Sequence, residues 1–401
     1  MFHTEGSFHP LEVFQHVAGT AELIWAAAGD VAGDPAMLRL LPKLGTYLDI
    51  SGMGADEVAR ALEPLRPDGV ITFMDRHLRL VAGVAQRLGL AYHTPEVARR
   101  LVDKRLQRES LAVGGVPGPR YWPVPGGTTG ADLAVLASQV GYPAVVKPAE
   151  GSDSRGVALA RRPEDLAALV PPEGALVESL LAEREGTPPW RSGDLRVESV
   201  VQDGVPQHLV VRGVFPVTEP FRLTGTFLPA DLTAQESATV LAVVSRAIEA
   251  LGITTGVVDT ELRSTPDGPA VIEVNGRVAG TVPFLLADVS EVDMFQLACR
   301  VAAGLPHGLT GPAVCRCVAF SWRAHPPVWA RRLVAVDGVE QLKAAVPEIS
   351  SVNVRLGPGA AVDWRQGTRS LVAIVQGRAA SHADLARAVS AIAEHLRPSY
   401  E

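Results

Sequence analysis

Lysine is almost missing from this chain. Of the 37 basic residues in 401, only Lys43, Lys104, Lys147 and Lys343 are lysine, and the rest are arginine. A chain that uses arginine almost wherever either cation would serve directs attention to the few places where a compact point charge is kept. Asparagine is equally scarce, with Asn275 and Asn353 the two present. Three cysteines, Cys299, Cys315 and Cys317, are too few for a disulfide framework. The lone C-x-C pair reads as free thiols rather than a metal clip, and the reading is a reducing, cytoplasmic setting. No apolar run reaches the roughly 20 residues that cross a bilayer, and LIWAAAG at 23–29 is far shorter. The opening residues show no leader pattern. Positive charge is also short: the net charge of -7 argues against nucleic acid or a membrane surface as partner. With 47% hydrophobic and 20% charged residues, disorder is excluded and about three domains are expected.

What is there centres on Asp259 to Gly280, DTELRSTPDGPAVIEVNGRVAG. Strand-like runs at Thr255–Arg263 and Pro269–Asn275 flank the turn signal Thr265-Pro266-Asp267-Gly268, which predicts a hairpin. A turn centred on Asp267 sets Glu261 opposite Glu273 and Asp259 opposite Asn275. Side-chain alternation then gives Asp259, Glu261, Arg263, Glu273 and Asn275 one face. Val258, Leu262, Ile272 and Val274 take the other, apolar face. Facing like charges destabilise a sheet, so two opposed carboxylates imply a cation between them. Oxygen donors from Glu and Asn suit a hard ion such as Mg2+, and Arg277 follows where it can meet an anion. Metal-assisted phosphate chemistry is the reading; an exposed polar sheet face is the plain alternative.

Around this hairpin the chain reads as mixed α/β. Residues 1–95 suggest a small α/β unit that walls one side of a cleft, with strands at Ala21–Ala28 and Gly69–Phe73 and helices at Asp56–Leu65 and Arg76–Leu88. MFHTEGSFHP holds no apolar run, so the first strand of such a unit is expected to be absent or to lie upstream. Thr94-Pro95 begins one helix predicted to run through Lys104 to about Ala112. YPAVVK at 142–147 is a strand, and the glycine loop Glu150–Val157 after it is predicted to be a hairpin flap able to turn backbone N–H groups onto an anion. The Walker pattern is absent. Helices at Ala234–Leu251 and Val292–Ala303 follow. Beyond residue 312, strands are expected at Val314–Trp322, Val352–Leu356, Ala361–Asp363 and Leu371–Gln376, closed by a helix at His382–Leu396.

The ordered set DK at 103–104, YPAVVKP at 142–148, GSDSRGV at 151–157, VES at 177–179 and EVNGR at 273–277 resembles the ATP-grasp superfamily of carboxylate–amine ligases, and most of all its L-amino acid ligase branch. The resemblance implies an α/β (α+β) ATP-grasp fold. It implies a Rossmann-like N-terminal domain at 1–95, an ATP-grasp domain at 96–311 with a nucleotide-covering part at about 120–195, and an α+β lid at 312–401. It implies that Lys104 and Lys147 hold the ATP phosphates under the loop carrying Gly151, Ser152, Ser154, Gly156 and Val157. Glu178, Ser179 and Leu181 would frame the adenine, with Glu178 facing its exocyclic amine. Asp194 would take the ribose, although related sequences usually carry glutamate there. Glu261, Glu273 and Asn275 would bind Mg2+, with Mn2+ as a stand-in, and Arg277 would meet the transferred phosphoryl group. Where Asp259 stands, amino-acid ligases often carry histidine, which leaves the substrate open. Arg212, Arg222 and Arg263 are carboxylate-clamp candidates by charge and position.

The implied reaction is activation of an amino-acid carboxylate, α or γ, as an acyl phosphate, then attack by an amine or second amino acid. The alternatives are a biotin-carboxylase-like or purine-pathway enzyme of the same fold, and a non-catalytic nucleotide-binding module. Small molecules are the expected partners, and a homodimer is left open.

Overall fold

A computed structural model of the chain describes all residues except 5, 7, 28–33, 152, 153, 167–173 and 220, with the side chains of 368 and 369 also undescribed. Three short parallel strands open it: β1 (Phe2–His3), β2 (Ile24–Ala27) and β3 (Thr46–Asp49), in that spatial order. The expectation that a first strand is missing is therefore corrected: two residues suffice, because Phe2 is buried and pairs with Ala26. The strand expected at Gly69–Phe73 is reduced to a single bridge between Phe2 and Thr72.

A four-stranded antiparallel sheet follows, ordered β4 (Tyr121–Pro123), β7 (Leu176–Ser179), β5 (Ala144–Lys147) and β6 (Ala158–Ala160). β5 and β6 pair antiparallel, so the glycine loop joins a hairpin as read from the sequence. The main sheet has eight strands, β8 (Asp194–Gln202), β9 (Val205–Val214), β10 (Gly225–Leu228), β11 (Gly256–Thr265), β12 (Gly268–Asn275), β13 (Val318–Ala324), β15 (Ile349–Val354) and β16 (Ala373–Ala379), in the order β12-β11-β8-β9-β10-β13-β16-β15. β14 (Leu333–Asp337) pairs instead with β17 (Arg397–Tyr400). Ala361–Asp363 forms no strand beyond the bridge of Ala361 to Arg332, since the chain there only crosses beside Leu333.

The helix Ala234–Leu251 backs the β8–β11–β12 end of this sheet. Its ends are written in the sequence: Thr233 and Glu236 cap each other's backbone N–H groups at 2.9 and 3.2 Å, and Gly252 adopts a left-handed conformation at φ 72°. Its face of Val240, Val244, Ile248 and Leu251 packs on Val197, Val258, Leu262, Val271 and Val274. A second core behind β13 and β16 is closed by the helix His382–His395. The polar face of β8, β9, β11 and β12 is left free to line a cleft.

Candidate active site

The hairpin pairs its polar residues as expected, although its turn is centred between Pro266 and Asp267 rather than on Asp267. Asp259 pairs with Asn275 and Glu261 with Glu273. The turn holds two residues, Pro266 and Asp267, and is tied by the Thr265 hydroxyl, which donates to Gly268 O at 2.7 Å and accepts from Asp267 N at 3.2 Å. The expected apolar face needs one correction. A bulge between Glu261 and Leu262 leaves Ile272 as the extra residue, so Leu262 pairs with Val271. Val271 enters the core and Ile272 turns to the cleft.

That cleft has a volume of about 470 Å3. Lys104, Lys147, Gly151, Ser154 and Val157 line it, as do Glu178, Ser179, Leu181 and Asp194. So do Glu261, Glu273, Asn275 and Arg277, with Arg212, Arg222 and Arg263. Gly156 stands just outside the lining. A Cβ there would come to 3.2 Å from Pro148 Cγ at φ +73°, so glycine is needed for the turn. Ser152 lies outside the described residues.

Lys104 owes its place to a break the sequence reading missed. The helix expected from Thr94 to Ala112 is two helices, Pro95–Val102 and Lys104–Val113. Asp103 separates them because its carboxylate accepts from Arg105 N at 2.9 Å and caps the second. Lys104 then begins that helix. Its amide donates to Ala149 O at 2.8 Å, and its Nζ reaches Gly151 O and Glu273 Oε1, each at 2.8 Å. Burial works against its charge, yet Glu273, with Asp75 and Glu261 beyond, lifts its pKa above the ordinary lysine value.

Lys147 is buried at the end of β5. Its Nζ is 2.6 Å from Glu178 Oε2, and Arg108 Nε is 2.6 Å from Glu178 Oε1. Burial pushes the Lys147 pKa down, and it outweighs the attraction of Glu178. Glu178 goes the other way: burial raises it, but the two cations hold it below the usual carboxylate range. Its carboxylate is thus engaged by Arg108 and Lys147 rather than presented to a ring amine. Asp194 and Arg263 are engaged with each other at 2.6 and 2.8 Å, and Arg263 also donates to Leu181 O.

Each facing carboxylate has a cation of its own, Lys104 on Glu273 and Arg196 on Glu261. Arg196, 2.7 Å from Glu261 Oε1, and Asn275 Nδ2, 3.2 Å away, hold one of them. Burial first, then Glu273 and Asp259, raise the Glu261 pKa despite Arg196. Two opposed carboxylates and an amide oxygen are a donor set that fits a small hard cation. Among the described residues no group of three or more His, Cys, Asp or Glu could hold a metal; this set has two carboxylates and an amide.

Several contributors carry no local sequence signal. Asp75, from the N-terminal unit, takes Arg277 Nε and Nη2 on its Oδ2 at 3.0 and 2.8 Å. Burial opposes the Arg277 charge, but Asp75 and Asp259 raise its pKa. His93 Nε2 donates to Gly276 O at 3.0 Å, seating the loop between Asn275 and Arg277. A Cβ on Gly276 would meet Leu101 Cδ1 at 2.5 Å. Arg212 lies beneath, its Nη2 2.7 Å from Glu198 and 2.8 Å from Asp259. Burial, then the charge of Asp259, pushes the Glu198 carboxyl above its ordinary value, while Asp259, despite burial, is held below its own by Arg212 and Arg196.

The fold that carries this cleft has counterparts among solved structures. A crystal structure of L-amino acid ligase from Bacillus licheniformis matches with a TM-score of 0.77 at 20% identity, over 97% of this chain and 95% of that one. The fold is that of the ATP-grasp ligases. N5-carboxyaminoimidazole ribonucleotide synthetase from Thermotoga maritima shares this ATP-grasp fold, with a TM-score of 0.69 and 15% identity over 100% and 98% of the chains. In sequence, the uncharacterized protein y4rH of Sinorhizobium fredii is 29% identical over 96% of this chain and 76% of its own length. Carnosine synthase 1 of Homo sapiens is 29% identical over 62% of this chain and 32% of its own. No family model matches the chain. No helix among the described residues is long and apolar enough to cross a membrane.

Proposed function

We propose that this ATP-grasp protein is an ATP-dependent ligase that activates an amino-acid carboxylate as an acyl phosphate and joins it to an amine. The observation that carries the reading is the register of Glu261 on Glu273 within one cleft that also holds Lys104, Lys147 and Arg277. A carboxylate is a poor electrophile, and bringing it to a polyphosphate sets two anions together. Fixed positive charge must offset that repulsion.

Lys104 and Lys147 would hold the phosphates beneath the loop that carries Gly151 and Ser154, and the backbone around Ser179 and Leu181 would take the adenine. Glu261, Glu273 and Asn275 would hold Mg2+, which when bound neutralises phosphate charge and polarises a phosphoryl oxygen. Lys104, now paired with Glu273 at 2.8 Å, would be free to turn to the nucleotide once an ion held that carboxylate. Arg277, aligned by Asp75, would meet the transferred phosphoryl group and the oxyanion that forms when the amine attacks. Residues 1–95, 96–311 and 312–401 would act as its wall, its nucleotide-binding body and its lid.

Release of ADP and phosphate across amino-acid pairs, with mass detection of the product, tests the reading. ADP formation that needs both an amino acid and an amine is the expected result. ADP release driven by bicarbonate alone, or nucleotide binding with no stimulated turnover, would replace it.

A further inference from the structure

The far wall of the cleft is made by β13 and the loop between β9 and β10. It holds a buried cation without a counter-ion. Arg222 lines the cleft at 8% exposure, and among the described residues no carboxylate pairs with its guanidinium. Its Nε and Nη2 donate to Glu219 O at 3.0 and 2.8 Å, and its Nη1 donates to Pro326 O. Three of the five N–H donors of a guanidinium are thereby used, and two have no partner among the described residues. Trp364 lies under it, 5.9 Å from ring centre to Cζ. A buried charge that meets only carbonyl dipoles and a ring is costly, and such a charge facing a cavity is matched by an anion.

A second group interleaves with it. His325, also in the lining, donates from Nε2 to Leu223 O at 2.8 Å. That bond leaves Nδ1 as the acceptor of the neutral ring, and Nδ1 is buried with no partner among the described residues. Burial, with Arg222 and Arg323 adding to it, lowers its pKa to about 4, so the ring stays neutral. The loop itself is held under strain. Phe221 has φ +63°, a conformation bulky side chains rarely adopt, and its carbonyl accepts from the Ser154 hydroxyl of the glycine loop at 2.9 Å. The nucleotide flap thus rests on the residue next to Arg222.

We infer that Arg222 and His325 form the head-group subsite for an α-amino acid, Arg222 taking the carboxylate that is not activated and His325 Nδ1 accepting from an N–H of the same molecule. This rests on the ligase reading for its place in the reaction, though not for the binding itself. The carboxylate could be that of the attacking amino acid, or the α-carboxylate of an acid activated through its side chain. The chemistry of the subsite is the same for both.

Calorimetry on the protein loaded with magnesium and a non-hydrolysable ATP analogue tests it without turnover. The probes are L-alanine, L-leucine and L-glutamate, each against its α-carboxamide. The expected result is at least one amino acid binding about tenfold or more tightly than its amide. Arg222→Gln should erase that preference while keeping nucleotide affinity and the unfolding midpoint. Loss confined to L-glutamate assigns the carboxylate to the activated acid; loss for L-alanine or L-leucine assigns it to the nucleophile. Where Arg222→Gln does not fold, Arg222→Lys should keep a weaker preference. Equal binding of acids and amides by the natural protein, no binding of any probe, or a preference unchanged in either variant overturns the inference. Arg222-dependent binding with no ADP from any pair would keep the subsite and remove the ligase reading.

Discussion

Replacing Glu178 by Gln should destabilise the protein more than any surface change, because it leaves two buried cations facing each other. Arg108, Glu178 and Lys147 are each 5–8% exposed as side chains, and both ion pairs close at 2.6 Å. Removing one partner of such a buried pair costs about 3–5 kcal/mol, most of it from the charges left behind. Solvent screening is slight at this depth, so the figure needs no large discount. A second change shows the cause. Lys147→Met in the Glu178→Gln background removes one orphaned cation, so the double variant should be less destabilised than the sum of the singles by about 1–3 kcal/mol. Urea unfolding at pH 7 measures all four proteins. The pH dependence adds a check on sign. The Glu178 pKa is depressed in the fold, so its contribution is complete above the unfolded value of about 4.3 and is lost as pH falls through the lower folded value. The gap between natural protein and Glu178→Gln should therefore hold from pH 7 to about 5 and shrink in stronger acid. Singles that add within about 0.5 kcal/mol, or a Glu178→Gln variant as stable as the natural protein, would refute the argument.

Three further outcomes follow from the same geometry. Arg277→Ala should keep ADP affinity within about threefold and lower kcat by about a hundredfold to a thousandfold, read by ADP release. Asp75→Asn, which removes the charge that holds Arg277, should lower kcat by about tenfold to a hundredfold and leave KM for ATP nearly unchanged. His93 is buried and burial depresses its pKa to about 4. The unfolded chain takes up its proton first, so stability is full above about 6.5 and falls by about 2–3 kcal/mol as pH drops from 6.5 to 4. His93→Asn should lose that part of the slope in urea titrations, and an unchanged slope would assign the acid sensitivity to other groups.

Local chemistry made much of this site legible from sequence. The turn residues announce the hairpin, but a turn at Pro266-Asp267 alone would set Glu261 opposite Ile272, and the bulge at Ile272 moves it onto Glu273. Thr233, Glu236 and Gly252 mark the long helix to the residue at both ends. What escaped depends on contacts far apart in the chain. Asp75 stands 202 residues from Arg277, and nothing in FMDRH announces the pairing. Asp103 looked like one more helical residue, and its capping role appears only where Lys104 must reach both Gly151 and Glu273. The bulge that sends Ile272 to the cleft has no glycine to mark it. Arg263 and Arg212 looked like substrate clamps by charge alone; the structure shows them bound to Asp194, and to Glu198 and Asp259. Arg222, chosen on the same weak ground, is the one of the three with no acidic partner among the described residues.

The most direct test of the account is crystallography with a non-hydrolysable ATP analogue and Mn2+, which stands in for Mg2+ and is located by its anomalous signal. The account predicts the ion between Glu261, Glu273 and Asn275 at about 2.0–2.3 Å from their oxygens, with Lys104 moved from Glu273 to the phosphates. An ion bound elsewhere, or a nucleotide in place with Lys104 still paired to Glu273, would contradict it.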